Sequence, residues 1–211
     1  MPRRKPKPSR RGKYDRSMTA KERESDQRIK LLDAATQVIA GVGFTESTVE
    51  AIIARAGMSR RTFYEHFSDL RDVLGQVYDR AAEISLTMVL SSSRAPVEPF
   101  EGLRAALAAW FHAVATYPEV ARVMFQEYRL GGPEFAARYE RDSARYAELL
   151  FEHLTAAHVK GQLARAPTLT SAYVLAKGIE AVSIRAIARG EQSTLPELVP
   201  EMFTLITASY R

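Results

Sequence analysis

Apolar residues recur along this chain at intervals of three and four, and no stretch alternates strictly between apolar and polar positions. That period belongs to amphipathic helices, so the pattern predicts an all-α fold. A first helix is expected over about 25–41, with Ile29, Leu32, Thr36 and Ile39 on its inner side and Phe44 packing beyond the Gly41-Val42-Gly43 break. Val49, Ile52, Ile53 and Ala56 form the stripe of a second, short helix. Phe63 and Phe67 mark the buried side of a third, and a fourth runs from about Asp69 to Ser91, opening on Val73, Leu74, Val77 and Ala81. Past a surface loop over 91–99, helical patterns occupy about 100–116, 118–129, 133–160, 168–189 and 195–210. Pro118 and Pro133 fit first turns, where a missing N–H costs nothing.

The second and third helices carry the sharpest local signals. Ser47 is placed to accept from the Glu50 amide while Glu50 reaches back, a capping box. Gly57 ends the helix, since glycine enters the left-handed region without a steric cost. Ser59 then caps the next helix, with Met58 and Phe63 as its hydrophobic staple. Two short helices joined by a glycine turn make a helix-turn-helix, and this points to duplex DNA.

Turning 100° per residue from Phe63 and Phe67 leaves Arg61 and Glu65 facing outward, with Thr62 and Tyr64 on the flanks and Arg60 free in the first turn. An arginine in the major groove can bond guanine O6 and N7 together, and Glu65 can accept from cytosine N4. Thr62, Tyr64 and His66 suit phosphate oxygens. A plain solvated face is the bland reading of the same residues.

The stretch Gly57-Met58-Ser59-Arg60-Arg61-Thr62-Phe63-Tyr64-Glu65-His66-Phe67, within a matching segment of about 28–74, resembles the signature of TetR-family transcriptional regulators. The resemblance implies an N-terminal three-helix DNA-binding domain followed by a helical domain that binds ligand and dimerises. Position by position, it implies phosphate contacts from Thr48, Thr62, Tyr64 and His66 and base-edge contacts from Arg60, Arg61 and Tyr64, with Ser59 at the head of the reading helix. The chain departs from the family's pattern twice. Arg61 stands where a small residue is common, implying an altered operator preference. Leu70 stands where a lysine is usual, which leaves its phosphate contact to Arg71.

Composition refines this picture. With 211 residues and 46% hydrophobic content, the chain can hold a small domain and a moderate one, expected at 21–70 and 71–211 behind an arm at 1–20. The absence of cysteine excludes disulfides and thiol chemistry, and no apolar run reaches the ~18 residues of a membrane span. A basic start followed by polar sequence is unlike a signal peptide, so a cytoplasmic protein is expected. Residues 1–16 carry eight basic residues against Asp15, a net of +7; with +5 overall, the remainder carries −2. Arg3, Arg4, Lys5, Arg10, Arg11 and Lys13, set among prolines, read as an arm that follows the DNA backbone or enters the minor groove, or as a solubilising tail.

At the other end, Leu195, Leu198, Val199, Met202, Leu205 and Ile206 form one stripe, and Leu175, Ile179, Val182 and Ala186 another. Each covers either its own core or a second copy. By resemblance, these two helices would pair with their twofold copies through Ile179, Val182, Leu198, Met202 and Leu205, spacing two reading helices about 34 Å apart. Family architecture also implies a cavity, lined by Trp110, Met124, Tyr128, Tyr146 and Glu180, for an apolar ligand with a few polar atoms. The four histidines are scattered, with no His-Glu-x-x-His frame, nucleophile elbow or phosphate loop, so no enzyme, metal or cofactor is expected. The sequence thus points to a dimeric regulator, a repressor before an activator, released from a near-palindromic operator by a small molecule. A DNA-organising protein without an effector is the alternative.

Overall fold

A computed structural model of the chain describes residues 19–94 and 98–211; the basic arm lies outside them, as does part of the expected 91–99 loop. Among the described residues there are nine α-helices, two 3₁₀ segments and no strand. The helices are α1 (Ala20–Val42), α2 (Val49–Ala56), α3 (Arg60–His66), α4 (Leu70–Arg94), α5 (Pro99–Thr116), α6 (Pro118–Phe125), α7 (Pro133–Val159), α8 (Leu169–Arg189) and α9 (Val199–Ala208). The 3₁₀ segments, Glu127–Gly131 and Gln192–Leu198, join α6 to α7 and α8 to α9.

Local chemistry accounts for most boundaries. Thr19 and Glu22 cap α1 reciprocally, which starts it five residues before the periodicity predicts. Pro99, Pro118 and Pro133 open α5, α6 and α7. The predicted Ser47–Glu50 box does not form. Thr48 caps α2 instead, accepting from the Ala51 amide at 3.1 Å, while buried Ser47 turns back to the Gly43 carbonyl at 2.7 Å. A second correction concerns α1, whose inner face is Leu31, Leu32, Ala35 and Ile39; Ile29 is 43% exposed.

One apolar cluster runs without a break from α1–α3 through α4 into α5, α6 and the start of α7, so the two expected domains share a core. A second cluster joins α5, α7, α8 and α9 around Leu103, Leu107, Leu150, Leu154, Phe203 and Ile206. The C-terminal stripe divides between inside and outside. Leu195 and Ile206 are fully buried in the chain's own cores, whereas Leu205 is 52% exposed.

Candidate DNA-reading head and effector cavity

The turn between α2 and α3 sets the reading helix. Gly57 sits at φ +67° and the Met58 amide returns to the Ile53 carbonyl at 2.9 Å, closing α2. Ser59 accepts from the Thr62 amide at 3.1 Å, and Phe63 anchors α3 with no exposed surface. What remains outward is the predicted face. Arg61, its side chain 89% exposed, pairs with Glu65 at 2.9 Å one turn on. Arg60 is not free: it pairs with Glu50 of α2 and lies over the Tyr64 ring, 5.7 Å from its centre. Both arginines are thus paired with carboxylates of the same surface. Thr48 and Tyr64 are exposed and Thr62 half-buried beside them. His66 is half-buried and tilts onto Phe67, with its Nε2 sealed from solvent. Arg71 is exposed and reaches across to Gly132 at the start of α7.

Behind the reading head, α4, α5, α7 and α8 enclose a cavity of about 90 Å³. Four of the five residues expected around a ligand line it: Trp110, Met124, Tyr146 and Glu180. Tyr128 does not. It stands one layer back, stacked on Tyr139 at 4.7 Å and tilted against Tyr78 at 5.5 Å, and those two rings form the wall. Trp110 donates its Nε1–H to Ser183 Oγ at 3.0 Å, and the Tyr146 hydroxyl donates to Ser85 at 3.0 Å, tying α5 to α8 and α7 to α4.

The cavity is apolar along most of its length and polar at the α8 side. There Lys177 Nζ lies 2.9 Å from Ser143 Oγ, 3.0 Å from Glu180 Oε2 and 3.8 Å above the Tyr139 ring. Burial disfavours both charges: it raises the Glu180 carboxyl to about 7 and lowers the Lys177 ammonium from its ordinary value. Burial likewise raises the Tyr146 phenol to about 12 and, beside Asp142, the Tyr78 phenol further still. Asp142 is held by Arg141 at 3.4 Å and Arg145 at 3.6 Å. Sequence reasoning missed Tyr139, Asp142, Ser143, Lys177 and His153 as cavity residues. A signal was present in α7, where positions 139, 142, 143, 146, 149, 150 and 153 share one face and polar residues interrupt an inward stripe.

A buried carboxylate bonds the segment behind the cavity to the reading head, alongside the shared apolar cluster. Glu127, next to Tyr128, accepts from the Phe44 amide at 2.8 Å, and Arg122 lies 3.8 Å from its other oxygen. Phe44 belongs to the α1–α2 turn, so Glu127 ties the layer behind the cavity wall, where Tyr128 stacks on Tyr139, to the reading head.

Of the residues expected at a dimer interface, Leu205 faces solvent, while Ile179, Val182, Leu198 and Met202 are half-buried against the chain's own clusters. The outer face of α8 shows Val174, Gly178 and Ala181 instead.

Residues 31–77 match the family model of bacterial regulatory proteins, tetR family. A curated relative, the HTH-type transcriptional activator FasR of Mycolicibacterium smegmatis, is 25% identical over 127 residues; the match spans 60% of this chain and 58% of that protein. The fold is shared with the fatty acid degradation regulator FadR from Bacillus halodurans at a TM-score of 0.80, with 22% identity over 88% of this chain and 96% of the other. It is shared too with FadR from Bacillus subtilis in complex with stearoyl-CoA, at a TM-score of 0.76 and 20% identity over 87% and 99%.

Proposed function

We propose that this chain, a DNA-binding transcriptional regulator of the TetR family, acts as a homodimeric repressor that leaves a near-palindromic operator when an amphipathic effector enters its cavity. One observation carries this reading: the cavity wall and the reading head are joined through Tyr139, Tyr128, Glu127 and the Phe44 amide. At about 90 Å³ the cavity is smaller than the ~300 Å³ at which ligand sites begin. An effector must therefore push α7 and α8 away from α4 and α5. It shifts the equilibrium only by binding that widened state more tightly than the DNA-competent one.

The apolar lining calls for a hydrocarbon body, and Lys177 with Glu180 and Ser143 calls for a polar head at the α8 side, where Lys177 is partly open to solvent. Stearoyl-CoA, bound by the Bacillus subtilis FadR, has this character and is the first compound to test. The functional unit is a dimer joined through α8 and α9, with two-domain protomers whose basic arms follow the DNA backbone.

Fluorescence anisotropy of the DNA beside the chain's own gene, titrated with protein and then with stearoyl-CoA, tests this. Sigmoidal release at micromolar stearoyl-CoA is expected, while binding that no acyl compound alters would favour a constitutive DNA-binding protein. The name of the FasR relative favours a second sign of regulation. Transcription from the same DNA that rises on adding the apoprotein would make the chain an activator.

A further inference from the structure

We propose that the effector site has an outer half, the groove between α1, α4, α5 and α6, which takes the effector's hydrocarbon end once Trp110 has turned aside. This rests on the cavity being the effector site and adds where the rest of the molecule lies. The groove has a volume of about 1350 Å³ and backs onto the cavity, because Trp110, Met124 and Phe125 line both. The two spaces are one layer of side chains apart.

Two helices pass from one space to the other and are joined at the boundary. α5 faces the cavity with Leu103 and Leu107 and the groove with Ala113, Val114 and Tyr117. α8 faces the cavity with Ala176 and Glu180 and the groove with Ile187 and Ala188. Between these sets stand Trp110 and the fully buried Ser183, the indole Nε1–H donating to Ser183 Oγ at 3.0 Å. The ring is half-buried and meets Tyr146 edge-on at 5.0 Å and Phe125 at 5.8 Å. A second bond crosses the same boundary, from the Tyr146 hydroxyl on the cavity side to Ser85 on the groove side. Turning Trp110 aside costs its bond to Ser183 and joins the two spaces.

The chemistry of the groove selects the hydrocarbon end. Leu32, Val77, Ala81 and Val114 are buried along it, and two large apolar side chains that the fold leaves exposed, Ile84 at 51% and Tyr117 at 55%, line it as well. Exposed apolar side chains gathered on one concave surface suit an apolar ligand. The three arginines of the groove are already engaged: Arg80 with Asp33 at 2.8 Å, Arg122 with Glu127 at 3.8 Å, and Arg55 with Gln37. The polar head therefore stays at Lys177. A hydrocarbon in the groove lies against Leu32, Thr36 and Ala40 of α1, so this end of the effector bears on the DNA-binding domain itself.

Trp110 is the chain's one tryptophan, so quenching of its fluorescence by bromine on an acyl chain reports binding at the boundary. Dibrominated stearoyl-CoA is titrated into the full chain and into Ile84→Glu, Ile84→Lys, Lys177→Met and Val159→Glu, each checked for folding by circular dichroism. A charge of either sign at Ile84 should weaken binding by about tenfold, and Lys177→Met should weaken it too. Val159→Glu, at an exposed apolar position away from both spaces, should match the parent. Parental affinity in both Ile84 variants overturns the outer half, and a loss in Lys177→Met alone leaves the cavity as the effector site. Weakening by only one of the two charges is electrostatics at a distance and overturns the outer half as well. Weakening in the Ile84 variants with Lys177→Met at parental affinity overturns the molecule that spans both spaces and, with it, the cavity as the site. Silence of Trp110 in every protein overturns the cavity and the proposal together.

Discussion

Arg61 and Glu180 show how one side chain's surroundings set what it does. Arg61 is exposed and its Glu65 partner is exposed with it, so the pair is worth little and can be exchanged for a base. Arg61→Ala should cost about 1–3 kcal/mol on the operator and relax preference at one base position per half-site. A binding-site selection that returns the parental base preferences would remove Arg61 from the reading set. Glu180 is the opposite case, a carboxyl that burial holds at about 7 against an ordinary 4.5. The folded state therefore binds the proton more tightly than the unfolded state, and stability is full below pH 4.5 and is lost as pH rises toward and through 7. Glu180→Gln should accordingly exceed the parent in stability at pH 8, by on the order of 1 kcal/mol because the charge of Arg129 returns part of the cost, and the gap should close by pH 5. Urea unfolding at the two pH values measures it.

Helices were legible where pattern and cap coincide, and less so where the chain uses a chemistry the pattern does not show. Gly57 and Ser59 cap as their spacing predicts, because capping is decided within a few residues, and Met58 and Phe63 enter the same apolar cluster. Ser47 and Thr48 compete for the same role, and the choice fell on the neighbour because the Ser47 hydroxyl is drawn to the Gly43 carbonyl, a contact of the preceding turn. Thr48→Ala should then cost about 1 kcal/mol of stability through loss of the α2 cap, and should do so in DNA-free protein, which thermal denaturation resolves from a phosphate contact. Lys177, Ser143 and His153 were hidden for another reason: a polar residue on an inward helix face declares burial but not what it meets. Glu127 was the least readable of all, since its partner is a backbone amide 83 residues away. Glu127→Ala would leave that half-buried amide without its acceptor and should destabilise the chain by about 1 kcal/mol, while Glu127→Gln keeps an acceptor and should recover most of it.

At the scale of the molecule, two expectations concern surfaces that only an assembly uses. The placement of Leu205 outside and Leu198 and Met202 half inside moves the best test of the dimer to the exposed side: Leu205→Glu with Ala181→Glu should yield monomers in sedimentation and weaken operator binding together. An intact dimer would send the interface elsewhere. Deleting residues 1–16 removes a net +7 and should flatten the slope of log K against log salt by roughly 3 units if three or four basic residues engage phosphates. Equal slopes for the two proteins would clear the arm of DNA contact. The Glu127–Phe44 bond carries a further consequence, because a joint that passes work one way must return it the other. If an effector weakens DNA binding by a given factor, the operator weakens effector binding by the same factor. DNA is then itself an inhibitor of the cavity: copies sitting on the operator sense the effector last, and the unbound pool of protein sets the concentration at which the switch begins to move.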